Sequence, residues 1–201
     1  MTMTDATSVD TQVKVTAKSP VLANILGNAL VVASKDKFRP AIASVQVTLT
    51  EASMVAVATD SYMLVRQEAT VETQGEGVFL IFREEAEDIV KMVKADKMGV
   101  CTLVFSDREV TVSTSRSSAT FRLADFDFPK HEALWPTGDP VPTATIGLGS
   151  WNLAKLAKIV DPDFSGKVTQ GIRFDLFGAL KPSRFKIGST ISGLMMPVKL
   201  S

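Results

Sequence analysis

Three times along the chain the same order of signals recurs, one strand, one helix, then three strands, and no other feature narrows the possible folds as far. The first pass opens at residue 11 with TQVKVTAK, whose polar and apolar residues alternate as on a half-buried strand. Ser19-Pro20 then reads as a helix start, an N-cap followed by proline at the first helical position. Leu22, Ile25, Leu26, Ala29, Leu30 and Ala33 recur at helical spacing and make one apolar face. The helix fades at Lys35-Asp36-Lys37 and stops at Arg39-Pro40, before ASVQVTLTE, MVAVATD and YMLVRQEATV, a meander of three strands with short polar turns.

After the polar loop ETQGEG the order returns. GVFLIF is a strand, and REEAEDIVKMVKADKMG is a helix with acids in its first turn, bases toward its end and Gly99 as C-terminal cap. VCTLVFSD, REVTVSTS and SATFRLADF complete the second unit. In the third, TATIGL is the strand and Ser150 caps SWNLAKLAKIV, whose apolar face is Leu153, Leu156, Ala157 and Val160. GKVTQGIRFDLF, LKPSRFKIG and TISGLMMPVKL follow as strands. The period lies in the pattern, since the residues themselves hardly repeat. Strands gathered in one sheet with the helices on one face predict an α+β layer architecture.

Between the second and third units runs DFDFPKHEALWPTGDPVP, with four of the nine prolines. Proline lacks a backbone donor and pushes its predecessor out of the helical region, so this stretch suits neither helix nor central strand. Phe128, Leu134 and Trp135 within it are large apolar residues that a solvated tether does not need, so the linker is expected to pack against the body. The expected division is a disordered N-terminus over 1–10, two units over 11–126, a linker over 127–142 and a third unit over 143–201.

Several function classes are excluded by what is missing. A single cysteine, Cys101, in an apolar run reads as a buried small side chain in a reducing compartment. His131 is the only histidine and lies in the linker, where it reads as a polar linker residue, so the usual zinc spacings and a well-supported Ser-His-Asp arrangement are absent. GEG at 75–77 and GLG at 147–149 precede nothing like a phosphate loop. The carboxylate pairs Glu84-Glu85, Asp125/Asp127 and Asp161/Asp163 read as helix-start or turn residues. No catalytic residue, metal or cofactor is therefore expected. No apolar run reaches the roughly 18 residues of a membrane span, and the polar start is unlike a signal peptide, so a cytoplasmic protein is expected. Formal net charge is zero, so any nucleic-acid contact must come from local clustering.

Three short motifs, in order, resemble those of the bacterial DNA polymerase III beta sliding clamp family. Ala58-Thr59-Asp60-Ser61-Tyr62-Met63-Leu64 is similar to its A-T-D-G-H-R-L turn. Phe128-Pro129 through Leu134-Trp135-Pro136 looks like its linker between second and third domains, and Met195-Met196-Pro197-Val198-Lys199-Leu200 resembles its terminal V-M-P-M-R-L. The resemblance covers residues 11–200 and implies a sliding-clamp fold. It also implies a DNA polymerase processivity factor that encircles duplex DNA without reading its sequence, and catalyses nothing. A clamp chain has six such half-domains and this one has three, so closing a ring of twelve implies a tetramer. A clamp so reduced would suit a bacteriophage.

The resemblance also implies a pocket for polymerase and clamp-loader peptides. Its walls would be Thr59, Ser61, Tyr62, Met63 and Leu64 from the turn, Pro129 and Leu134 from the linker, and Met195, Met196, Pro197, Val198 and Leu200 from the end. Methionine and leucine make an adaptable apolar groove, although Met195, Met196 and Leu64 could equally be strand core. Sequence-neutral attraction to DNA calls for lysines on helix surfaces. The candidates are Lys35, Lys37 and Arg39 after the first helix, Lys91, Lys94 and Lys97 on the second, and Lys155 and Lys158 on the third. Two rivals stand beside this: a clamp-like decoy or regulator that binds the peptides without encircling DNA, and an enzyme of unrelated fold using Asp60.

Overall fold

In the computed structural model, residues 12–140, 146–164 and 170–199 are described. The first unit comprises β1 (Val13–Lys18), α1 (Ser19–Val32), β2 (Ser44–Thr50), β3 (Ser53–Thr59) and β4 (Met63–Thr70), followed by a short β5 (Glu72–Gln74) where a plain loop was expected. The second comprises β6 (Gly77–Phe82), α2 (Arg83–Ala95), β7 (Val100–Phe105), β8 (Glu109–Ser113) and β9 (Ser118–Arg122). The third shows α3 (Ser150–Leu156), β10 (Ile172–Asp175), β11 (Ser183–Ile187) and β12 (Ile191–Met195). The expected N-terminal disorder, Leu200, and parts of the two strand predictions at TATIGL and GKVTQGIRFDLF lie outside the described residues.

The strands form two antiparallel sheets, as the α+β clamp fold implies. One has the order β5-β1-β7-β8-β9 and the other β10-β11-β12-β4-β3-β2-β6. The opening strand of each of the first two units leaves its own meander for that of the other: β1 pairs antiparallel with β7, and β6 with β2. The exchange mates an edge of each meander and lets β1 bury Val13 and Val15 in the common core. In the second sheet β12 pairs antiparallel with β4, so the third unit continues the sheet of the first.

Helix periodicity survives intact over α1 and its C-cap Ala33: Leu22, Ile25, Leu26, Ala29, Leu30 and Ala33 are all buried. Truncating one of the leucines to alanine would cost about 3 kcal/mol. The helix ends differ from the reading by a residue or more. Lys18 and Gly149 hold the N-cap positions, so Ser19 and Ser150 are the first helical residues. The Ser19 hydroxyl donates instead to the Gly99 carbonyl at 3.1 Å and lies 3.0 Å from the Cys101 sulfur. Burial pushes the Cys101 thiol up from its ordinary pKa. α2 ends on Asp96 rather than Gly99. Arg83 at the start of α2 donates to the carbonyls of Leu30 and Ala33 at 2.8 and 2.7 Å, supplying partners that the end of α1 lacks.

The linker is anchored, as its apolar residues require. Phe128 and Trp135 pack on Val55, Val57, Leu64 and Leu194, a small cluster separate from the main core. Leu134, the third expected anchor, is instead 53 % exposed. His131 is buried, which corrects its reading as a plain polar linker residue. Its ring meets Phe128 edge-on with centroids 6.0 Å apart, and its Nε2 lies 3.2 Å from Gln46 Oε1.

A buried polar knot seats the third unit against the first. The Asn28 side-chain amide donates to Gln67 Oε1 at 2.9 Å and to the Val160 carbonyl at 2.8 Å, while the Val160 amide donates to Asn28 Oδ1 at 3.1 Å. Gln67 in turn donates to Asn24 Oδ1 at 2.7 Å. α1, β4 and the segment after α3 are thus locked by groups that cannot be satisfied by sliding.

Candidate functional site

The turn between β3 and β4 is built by its own side chains. Asp60 Oδ1 accepts the amides of Tyr62 and Met63 at 2.9 and 2.8 Å. The Thr59 hydroxyl donates to the Met63 carbonyl at 2.8 Å and accepts the Ser61 amide at 3.1 Å. Between them Ser61 takes φ of 79°, left-handed backbone that favours glycine, the residue the similar motif carries there. Arg39 reaches the Ser61 hydroxyl at 3.1 Å, and Lys155 from α3 pairs with the second oxygen of Asp60. Short polar residues make this turn, and the strands it joins present the apolar surface.

Strand alternation sorts that surface. In the register of β4 with β12, Leu64 lies opposite Leu194 and Met63 opposite Met195. Leu64 and Leu194 join the small cluster under the linker, whereas Met63 and Met195 enter the main core. At the rim of the small cluster Thr59, Ser61, Tyr62, Met63, Leu64, Leu134, Pro182, Leu194 and Met196 line a small, shallow groove of about 70 Å³. Tyr62 is 65 % exposed and Met196 40 %, so apolar surface stands open to a ligand. The three motifs therefore meet in space.

Seven of the twelve residues expected in the pocket line this groove. Met195 does not, being fully buried on the opposite face of β12, so its alternative reading as strand core holds. Pro129, Pro197 and Val198 lie outside the lining, and Leu200 is not among the described residues. The reading missed Leu194 and Pro182. Alternation along TISGLMM carried the signal for Leu194, since it puts 194 and 196 on one face. Nothing local marked Pro182, which the turn before β11 delivers.

The expected DNA-facing residues scatter. Lys94 and Lys97 border a hollow with Pro20 and Ala23, and Lys94 and Lys158 border another with Asn24, Gly27 and Asn28, so these three flank the open side of α1. α1 itself carries no charged residue. Lys35 is exposed; Lys37 pairs with Glu84 at 2.7 Å and Lys91 with Asp88 at 2.7 Å, both at the surface. Arg39 pairs with Asp36 at 2.8 Å and leans on the β3–β4 turn. Lys155 is corrected outright: its side chain is only 18 % exposed and its charge is spent on Asp60, also largely covered. Three-residue spacing suggested a face shared with Lys158; the nearby carboxylate claimed Lys155.

Among the described residues no cluster of His, Cys, Asp or Glu could hold a metal, and no helix is long and apolar enough to cross a membrane.

Two interlocked units with exchanged opening strands, continued through a shared sheet into a third, are the fold of bacterial DNA sliding clamps. The structure superimposes on the DNA polymerase III beta subunit of Thermotoga maritima with a TM-score of 0.78 at 14% identity, covering 100% of this chain and 68% of that one. The Bacillus subtilis DNA polymerase sliding clamp gives 0.76 at 14% identity, covering 100% and 67%. The Streptococcus pyogenes beta subunit gives 0.77 at 14% identity, covering 100% and 68%. A search of curated protein sequences finds no match. Residues 16–130 match the family model for the central domain of the DNA polymerase III beta subunit, and the chain belongs to that family.

Proposed function

We propose that the protein is a processivity factor, whose copies close a ring around duplex DNA and hold a polymerase through the groove beside the linker. The observation that carries this is the meeting of the turn, linker and terminal motifs at one apolar groove. That groove lies under the linker, while Lys94, Lys97 and Lys158 flank the helix layer on the other side of the sheets. A groove of leucine, methionine and tyrosine suits short peptides with adjacent bulky apolar side chains, and its adaptable lining suits more than one such peptide. The DNA contact is weak by design: a sliding ring needs phosphate attraction without a docked register. No step of this function is chemical.

Topology supplies the test. Chains assembled in the presence of closed circular DNA should stay on it through a high-salt wash, and should be released when one nuclease cut makes the circle linear. Equal release from closed and cut DNA would sink the ring. The uncharged α1 would then favour a regulator that displays the groove without encircling DNA.

A further inference from the structure

The groove as it stands is too small for a peptide with two bulky apolar side chains. Its volume of about 70 Å³ is several-fold below the roughly 300 Å³ at which ligand pockets begin. The apolar surface, however, does not end where the open space does. Two groove residues, Leu64 and Leu194, also belong to the small cluster with Val55 and Val57, and Phe128 and Trp135 of the linker roof that cluster. Groove and cluster are one surface, carried by β3, β4 and β12, and the linker covers its inner part.

The cover is lightly tied. Among the described residues, no backbone hydrogen bond joins 127–140 to either sheet. The two that this segment makes are internal: the Leu134 amide donates to the His131 carbonyl at 3.0 Å, and the Trp135 amide to the Glu132 carbonyl at 3.4 Å. Its one side-chain hydrogen bond to the body runs from His131 Nε2 to Gln46 Oε1 of β2, at 3.2 Å. An amide oxygen only accepts, so the ring proton sits on Nε2, and Nδ1 is left as an acceptor, buried and without a partner. Water satisfies that atom once the linker lifts, so the closed position carries a polar penalty that the open one relieves. Phe128 and Trp135 are each only half-buried, and less apolar area is exposed by their leaving than by the loss of a core side chain.

We infer that the linker is a displaceable strap: a peptide entering the groove expels Trp135 and lays an apolar side chain of its own on Val55, Val57, Leu64 and Leu194. The site then has two states. Closed, the chain covers its own valines and leucines while no partner is bound. Open, the site has the extent that two adjacent bulky side chains need. The strap competes with every peptide, because the apparent dissociation constant is the intrinsic one divided by the open fraction. The strap deepens the reading of the groove as a peptide site and rests on it.

The test uses a synthetic peptide in which Leu-Leu-Phe is flanked by two serines on each side, titrated into the full chain by calorimetry. Trp135→Ala removes the cover, and Gln46→Ala removes its hydrogen-bonded tie without touching a groove residue. Each should lower the dissociation constant by about threefold or more, as the open fraction rises. In a Trp151→Phe background Trp135 is the only tryptophan, and its emission should move to the red as the peptide saturates the chain. Affinity unchanged or weakened in both variants overturns the strap. So does peptide binding that leaves the Trp135 emission in place or moves it to the blue, the mark of a wall that the ligand covers. The emission experiment keeps the linker intact and decides the matter even where Trp135→Ala does not fold. A peptide that binds neither the parent chain nor Trp135→Ala removes the groove as a peptide site, and the strap with it.

Discussion

Ser61 holds a left-handed backbone that costs an L-residue about 1 kcal/mol, and its hydroxyl gains a hydrogen bond from Arg39 in return. Ser61→Gly is therefore expected to raise stability by no more than about 1 kcal/mol, read as a rise of a few degrees in the thermal midpoint. A lower midpoint would mean that the Arg39 hydrogen bond outweighs the backbone strain. His131 responds to pH. Its burial holds the imidazole below its ordinary pKa, with Glu132 opposing and Arg66 reinforcing the shift. The unfolded chain takes up a proton near pH 6.5 that the folded linker refuses, so stability is full above that pH and declines as the pH falls below it. Thermal unfolding followed between about pH 7.5 and 5 should show this decline, flattened in His131→Gln; identical slopes would remove His131 as its source. Trp135 fluorescence would report whether the linker loosens first.

At the scale of elements, the seam between β4 and β12 joins the third unit to the first. Gly193 sits opposite Val65, and a Cβ there would overlap the Leu64 carbonyl oxygen and the Phe185 ring. Neither can yield, one being backbone and the other fully buried. Gly193→Ala should cost about 2–3 kcal/mol in denaturant unfolding and weaken peptide binding, because the displaced strand carries Leu194 and Met196. An unperturbed midpoint would show the seam to be more pliable than its packing indicates. In TISGLMM the glycine is visible, but the close approach that requires it belongs to two other strands. The Asn24, Asn28 and Gln67 knot was equally hidden: two of its members sit on a helix whose apolar face alone was legible, and their partners are 39 or more residues away.

For the whole molecule, the arrangement of charge separates a DNA role from a structural one. Replacing Lys94, Lys97 and Lys158 together by alanine should reduce the salt dependence of DNA association by about 2–3 units of slope, near 0.9 for each phosphate no longer neutralised. Lys155→Ala should leave that slope alone and lower stability instead, by stranding the Asp60 carboxylate in a largely covered site. The opposite pattern would reassign the lysines. Exposed pairs such as Lys37 with Glu84 are screened by solvent and should matter to neither property.

Local periodicity determined the order of elements, the buried face of α1, and the linker with two of its three apolar anchors, because spacing of 2 or 3.6 residues is written in neighbouring side chains; of the apolar face predicted for α3 only Leu156 is buried. The same periodicity placed Leu64 and Met196 within reach of one another once β4 and β12 paired. Tertiary structure decided which strand lies beside which, sending β1 to β7 and β6 to β2. Backbone hydrogen-bonding groups are alike in every strand, so the sequence around a strand names its face without naming its neighbour. It also decided the fate of charges. Lys155 and Lys158 look equivalent in sequence, and only the approach of Asp60 from 95 positions away buries one and leaves the other at the surface.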